Sequence, residues 1–344
     1  MRRVSGRWAA TATLLAVLSV WLFGCGSGGS PPAGGVALKE GGELAAWSPN
    51  GQWIAAPGER RIDLIDRDGA TAGRLTVPGI RHATWPCECR LGWSPGGRYV
   101  LFMTRRWPGG DGASVGSVDR VTGAVRQRNL GEPAGDAAWS PSGWPLVFVV
   151  NSGAYEFNTP HRGPKPNLWR LDGLHSRPHP ILRQAGTEAK PQFSPDGTQV
   201  AYVRKLKGQR QLWVVNSDGS HPHAVATDLL SVSFAWAPDA TSLALAASFI
   251  GGRGNAIYTT PTSDGRPRRV SGSGDATGAV AWTPDGRWIT YGGLGGTIWR
   301  MHPDGGDRQK IGELPEHLIR RLLWSPDGKH LAYAAIEQEE EGFD

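Results

Sequence analysis

The chain has 344 residues, with 37 Lys and Arg against 31 Asp and Glu, for a net charge of +6. Glycine (49) and proline (26) are frequent enough to punctuate many short strands, and they argue against a helical bundle; helical periodicity with caps is suggested in the mature chain only from Glu313 to Leu322. A length near 300 residues exceeds the usual single core, so a modular architecture is expected, in which each small unit buries only its neighbours' faces.

In chain order, residues 1–24 read as a signal peptide. Arg2, Arg3 and Arg7 make a basic start, Trp8 to Phe23 is apolar, and Leu22-Phe23-Gly24-Cys25 resembles the lipobox of bacterial lipoproteins, which implies acylation at Cys25. A plain signal peptide and an uncleaved anchor are the alternatives. Residues 25–35 are a Gly/Ser/Pro-rich flexible tether, and acyl chains at about 0.8 kcal/mol per buried methylene would hold the protein at a membrane without a spanning helix. The expected location is outside the cytoplasm, facing the periplasm or the cell exterior. Removal of residues 1–24 takes away three arginines and no acid, lowering the net charge to +3. Nucleic acid is then not an expected partner; the membrane, through its lipid anchor, and an acidic protein or envelope polymer are.

Val36-Ala37-Leu38 is a short apolar strand. One pattern then appears seven times, an aromatic followed by a proline turn: Trp47-Ser48-Pro49-Asn50-Gly51, Trp93-Ser94-Pro95-Gly96-Gly97, Trp139-Ser140-Pro141-Ser142-Gly143, Phe193-Ser194-Pro195-Asp196-Gly197, Trp236-Ala237-Pro238-Asp239-Ala240, Trp282-Thr283-Pro284-Asp285-Gly286 and Trp324-Ser325-Pro326-Asp327-Gly328. The steps run from 42 to 54 residues, a period of propellers and solenoids. Proline presets φ at the second turn position, Asp accepts local backbone bonds, and Gly takes the positive φ that follows. Residues after each turn alternate with period two, as in Val200 and Tyr202 or Leu331 and Tyr333, which makes them strands. The aromatics are expected between packed sheets. Ala240 stands where glycine belongs, so that turn is expected to relax to another geometry.

A second hairpin follows most copies, as in Leu212-Trp213-Val214-Val215-Asn216-Ser217-Asp218-Gly219, giving four strands per period. The seventh period has only its first hairpin before the acidic tail 337–344, and the strand at Val36 is expected to close that last unit and hide its edge. The Trp-Ser-Pro-Asp-Gly turn with the later Asn-Ser-Asp-Gly resembles the WD-repeat-like propeller of TolB and its relatives over residues 36–336. That resemblance implies an all-β propeller of four-stranded blades, seven with the N-terminal strand closing the last, or six. It says little about activity, because the same propeller serves as a bare scaffold and as the gating domain of prolyl oligopeptidase-type enzymes.

The first and third connections of each unit are uniformly tight, while the second and fourth vary, so loop-borne function is expected on the face opposite the Pro-Asp-Gly turns. The variable connections bring Arg105, Arg106, Trp107, Tyr155, Phe157, His161, Arg162, Lys165, Arg204, Lys205, Lys207, Arg210, Arg253, Arg320 and Arg321, a basic and aromatic-dotted face suited to an acidic partner. No cofactor is indicated. His82 with Cys87 and Cys89 is the one local set with metal-ligating residue types, and it lacks a fourth group. Gly112-Ala113-Ser114-Val115-Gly116 matches a nucleophile elbow in letters but enters a strand rather than a helix. The expected role is a non-catalytic, lipid-anchored binding scaffold of the cell envelope; the alternative is an envelope or extracellular hydrolase or lyase with its site at the channel mouth.

Overall fold

In the computed structural model, the described residues are 35–38, 44–58, 61–77, 89–104, 113–130, 134–150, 168–183, 186–263, 265–315 and 317–337. Among them the only regular helical structure beyond isolated turns is a short 3-10 segment at Leu294–Gly296, and the rest of the regular structure is strand. No helix among them is long and apolar enough to cross a membrane.

The chain opens with β1 (Gly35–Leu38). Four-stranded antiparallel units follow: β2 (Ala46–Trp47), β3 (Trp53–Gly58), β4 (Arg61–Asp66) and β5 (Thr71–Thr76); β6 (Cys89–Trp93), β7 (Tyr99–Thr104), β8 (Ser114–Asp119) and β9 (Val125–Asn129); β10 (Ala134–Ser140), β11 (Gly143–Val150), β12 (Leu168–Leu171) and β13 (His179–Leu182). The next sheet has seven strands, β14 (Thr187–Phe193), β15 (Gln199–Leu206), β16 (Gln209–Asn216), β17 (His223–Trp236), β18 (Ser242–Phe249), β19 (Ala256–Pro261) and β20 (Arg268–Arg269). Its long β17 pairs with β16 through its first half and with β18 through its second, so it ends one unit and begins the next. β21 (Val280–Trp282), β22 (Ile289–Gly292), β23 (Thr297–Met301) and β24 (Gln309–Glu313) form the sixth unit. β25 (His317–Trp324) and β26 (Leu331–Glu337) form the seventh, completed by β1, which pairs parallel to β26. The Glu313 to Leu322 stretch is therefore not a helix: Glu313 ends β24 and His317 to Leu322 belong to β25, whose Ile319 and Leu322 are buried in the core between two units.

Seven apolar clusters hold these units together, and each spans the junction of two consecutive ones. Ile62 and Leu64 of the first pack with Phe102 of the second, Leu168 of the third with Tyr202 of the fourth, and Ile298 of the sixth with Tyr333 of the seventh. The ring closes where Val36 and Ala332 meet Ile54. Burial of large rings between sheets is the main stabilising term of such a layered core.

The tight turns lie on one rim. A methyl group placed on Gly51, Gly97, Gly143, Gly197, Gly286 or Gly328 would touch Pro326, Pro49, Pro95, Pro141, Pro238 or Pro284 of the preceding unit at 3.4–3.8 Å, so each turn seats against the last around the circle. Within the turns the hydroxyl groups of Ser194, Thr283 and Ser325 donate to the Asp two residues on, at 2.5–2.6 Å, and accept the N–H five residues on, at 2.9–3.1 Å. Ala240 does not relax the geometry: it keeps φ at +61°, just below the glycines at its equivalents, which run from +66° to +87°. Its neighbours impose the turn, and the residue carries the strain.

Candidate binding site at the channel mouth

A cavity of about 920 Å³ opens at the ring axis on the side opposite the proline turns. It is lined from the early parts of β10, β14 and β25, from the start of the second half of β17, from the segment just before β21, and from the β15–β16 hairpin. Those early parts lie at the far end of each inner strand from its turn.

Four of the inner strands are irregular at the same place. Register shifts fall between Ala134 and Ala137 in β10, Ala189 and Gln192 in β14, Leu229 and Ser231 in β17, and Ile319 and Arg321 in β25. The residues inserted there include Asp136, Lys190, Leu230 and Arg320, and all four line the cavity. A bulge opposes two residues to one and re-aims a side chain, which is why bulges gather beside functional sites. The Asp136 carboxylate accepts the Lys190 backbone N–H at 2.8 Å, stitching the bulge of one unit to the next, and Lys190 takes φ +52° there. The Lys190 ammonium lies 3.4 Å from the Val232 carbonyl across the cavity wall.

The hairpin from β15 to β16 turns on Lys207 and Gly208, both with positive φ (+50° and +84°), the signature of a two-residue hairpin turn. Lys205, Lys207 and Arg210 come from it, and the Arg210 guanidinium donates to the Leu230 carbonyl. Five cationic side chains, Lys190, Lys205, Lys207, Arg210 and Arg320, thus face two carboxylates, Asp136 and Glu188. Glu188 is 1 % exposed, directly across the strand pair from Arg204. The Tyr202 hydroxyl beside them is pushed up in pKa, by burial first and by the Glu188 charge second. Ser231 adds a polar wall by donating to Asn255 at 2.8 Å.

The sequence-derived binding residues separate sharply. Lys205, Lys207, Arg210 and Arg320 line the cavity. Arg204 does not: β15 runs on through Leu206 instead of breaking into a loop, so alternation turns Arg204 inward, where it is 9 % exposed and stacks 4.8 Å over the Trp213 ring. Arg253 is exposed in the β18–β19 connection, outside the cavity wall. Arg321 is half-buried, while its neighbour Arg320 is the one the β25 bulge delivers to the cavity. Arg105, Arg106, Trp107, Tyr155, Phe157, His161, Arg162 and Lys165 lie outside the described residues, as do Cys25, His82 and Cys87; Cys89 opens β6 opposite Thr104. No three His, Cys, Asp or Glu side chains come together as a metal-binding group among the described residues. Ser114 begins β8, as its strand context requires. Lys190 is the lining cation that the loop reading does not reach, because it lies inside β14 and only the bulge there brings it to the cavity.

No protein-family model matches the chain. Solved structures do. The chain superposes on an oligogalacturonate lyase in complex with manganese with a TM-score of 0.63 at 17% identity, covering 85% of each chain. It matches the β-propeller domain of Cps50 (Swd1) from Myceliophteria thermophila with a TM-score of 0.57 at 13% identity, over 86% of this chain and 93% of that one. TolB from Acinetobacter baumannii follows with a TM-score of 0.50 at 14% identity, over 85% of this chain and 65% of that one.

The fold is a TolB-like, WD-repeat-like β-propeller.

At these identities the likeness carries the fold and nothing of the chemistry. Among curated sequences, an uncharacterized protein of Agrobacterium fabrum is 27% identical over 125 residues, which is 35% of this chain; the chain spans 41% of that relative's length. The propeller's variable rim thus coincides with its cationic cavity, and its regular rim with the proline turns.

Proposed function

We propose that this protein is an exported, lipid-anchored, seven-bladed propeller of the cell envelope that binds an acidic protein or polymer at its channel mouth without transforming it. The observation that carries this reading is the set of bulged inner strands, which turn Lys190 and Arg320 toward the axis, where Lys205, Lys207 and Arg210 also converge. Low-dielectric walls focus a cationic field and raise the local concentration of anions. The TolB-like fold supports an envelope setting, and the apolar N-terminus ending at Cys25 supports a lipid attachment. The test is retention on an immobilised polyanion, such as polygalacturonate, across a salt gradient. Lys205→Glu with Arg320→Glu should shift elution to lower salt or abolish retention. Unchanged elution would overturn the reading.

A second reading, a lyase on acidic saccharide, is favoured by the same cationic mouth in a fold shared with an oligogalacturonate lyase. Incubation with polygalacturonate decides between the two: β-elimination leaves an unsaturated sugar that absorbs in the ultraviolet, whereas a binding protein leaves the polymer intact.

A further inference from the structure

Among the described residues six large apolar side chains are exposed, and four of them share one arc of the mouth rim. Tyr99 and Val121 stand beside the tight turns of the second unit. Leu230, Ile250, Leu294 and Ile336 lie instead at the far ends of the fifth, sixth and seventh units, 46–68 % exposed. They form two corners. Leu230 is inserted by the β17 bulge, and the Ile250 N–H bonds the Asp228 carbonyl, two residues before Leu230, at 2.8 Å. Leu294 sits on the 3-10 segment, where a Cβ on Gly296 would lie 3.0 Å from the His317 carbonyl; His317 pairs with Glu337, next to Ile336. Each corner stands beside a cavity cation. Arg210 donates to the Leu230 carbonyl, and Arg320 follows Leu318, the strand partner of Ile336, by two residues. Single exposed aliphatics are ordinary on a protein surface, whereas a grouped set beside a charged concavity marks a contact surface.

We propose that the partner taken at the mouth is a protein segment with aliphatic side chains among its carboxylates: the acids enter the cavity, and the aliphatics cover the Leu230–Ile250 and Leu294–Ile336 corners. This rests on the cavity being an anion-binding site, as does the proposed function, and it narrows the partner to a polypeptide. Charge complementarity selects an acidic occupant and steers it in. Buried apolar area then supplies affinity that a bare polyanion lacks, since a uniform acidic polymer leaves both corners in water. No aromatic ring lines the cavity among the described residues to take the face of a sugar. A flat lipid surface would reach the corners but not Lys190, whose ammonium is held in the concave wall at the Val232 carbonyl. A polypeptide is narrow enough to enter the cavity and apolar enough to cover its lip.

Two fluorescent peptides with equal numbers of glutamates test this on the full chain, one of glutamate alone and one with leucines interspersed. The leucine-bearing peptide should bind about tenfold tighter, the change expected from covering a pair of half-exposed aliphatic side chains. Ile250→Ser/Leu294→Ser, one residue from each corner and both outside the cavity wall, should remove most of that preference and leave the affinity for polyglutamate unchanged. Equal affinity of the parent for the two peptides, or a preference that the double variant keeps, would overturn the proposal and leave the proposed function standing. If the parent binds neither peptide, the anion-binding reading falls and this inference with it. Binding to phosphatidylglycerol vesicles that the double variant loses, with no leucine preference among peptides, would assign the corners to a membrane and also overturn the proposal.

Discussion

The indole N–H of Trp47 donates to the carbonyl of Leu323 at 3.0 Å, across 276 residues of sequence. The same bond recurs around the ring, from Trp93 to Ala46 at 3.0 Å and from Trp236 to Gln192 at 3.2 Å. Only the Trp47 bond joins the first unit to the last. Trp47→Phe keeps the ring and removes the donor, leaving a carbonyl at the closure unsatisfied. It should lower stability by about 1–2 kcal/mol in urea unfolding. A loss within error would mean that the closure depends on packing alone.

Ala240 holds φ +61° where equivalent turns have glycine, and its N–H still bonds the Ala237 carbonyl at 3.0 Å. Ala240→Gly should therefore stabilise by about 1 kcal/mol, since it removes the Cβ penalty. For a domain of this size that corresponds to about 2 °C in melting temperature. A lower melting temperature would show that the turn uses the methyl for packing.

Gly219 and Gly123 both take positive φ, but only Gly219 lies against another chain segment. A Cβ there would come 2.2 Å from the Ile181 carbonyl on the outer strand of the preceding unit, whereas one at Gly123 meets nothing within 4 Å. Gly123→Ala should cost about 1 kcal/mol, the backbone penalty alone. Gly219→Ala adds a clash with backbone and should cost upwards of about 2 kcal/mol. Equal losses would contradict the packing of that turn against its neighbour.

These features divide along a physical line. The turns, the alternating strands and the aromatic positions are set by residues a few places apart, so they can be read directly in the sequence. So is the closing strand, because Val36 and Leu38 form an apolar pair in a region otherwise rich in glycine. Bulges are different: the insertion of Lys190 or Arg320 is a register relation between two strands, and nothing in either strand alone marks it. The charge count of the β15–β16 segment shows a basic feature, but strand length decides which residue faces the cavity. Two more paired residues in β15 make Lys205 a lining group and Arg204 an interior one.

Several turn carboxylates are held below their ordinary pKa. Asp119 is lowered chiefly by the Val121 N–H and also by Arg98 at 2.8 Å, Asp196 by the Ser194 hydroxyl, and Asp218 by the Ser220 hydroxyl and N–H. A carboxylate lowered in the folded state binds fewer protons there than in the unfolded chain, so its contribution is present above the unfolded value of about 3.9 and is lost as pH falls through the folded values. Denaturant midpoints should stay level from pH 7 to about pH 4.5 and drop below that. Asp196→Asn should flatten part of the drop; an acid limb unchanged by it would remove this turn from the cause.

The parallel pairing of β1 has a mechanical corollary. Gly35 lies beside Leu331, near the proline turn, and Leu38 beside Ala334, so the polypeptide enters the ring from the regular rim. Tension transmitted through the leading segment would act along β1 and load its hydrogen bonds to β26 together, in shear, instead of peeling them one at a time.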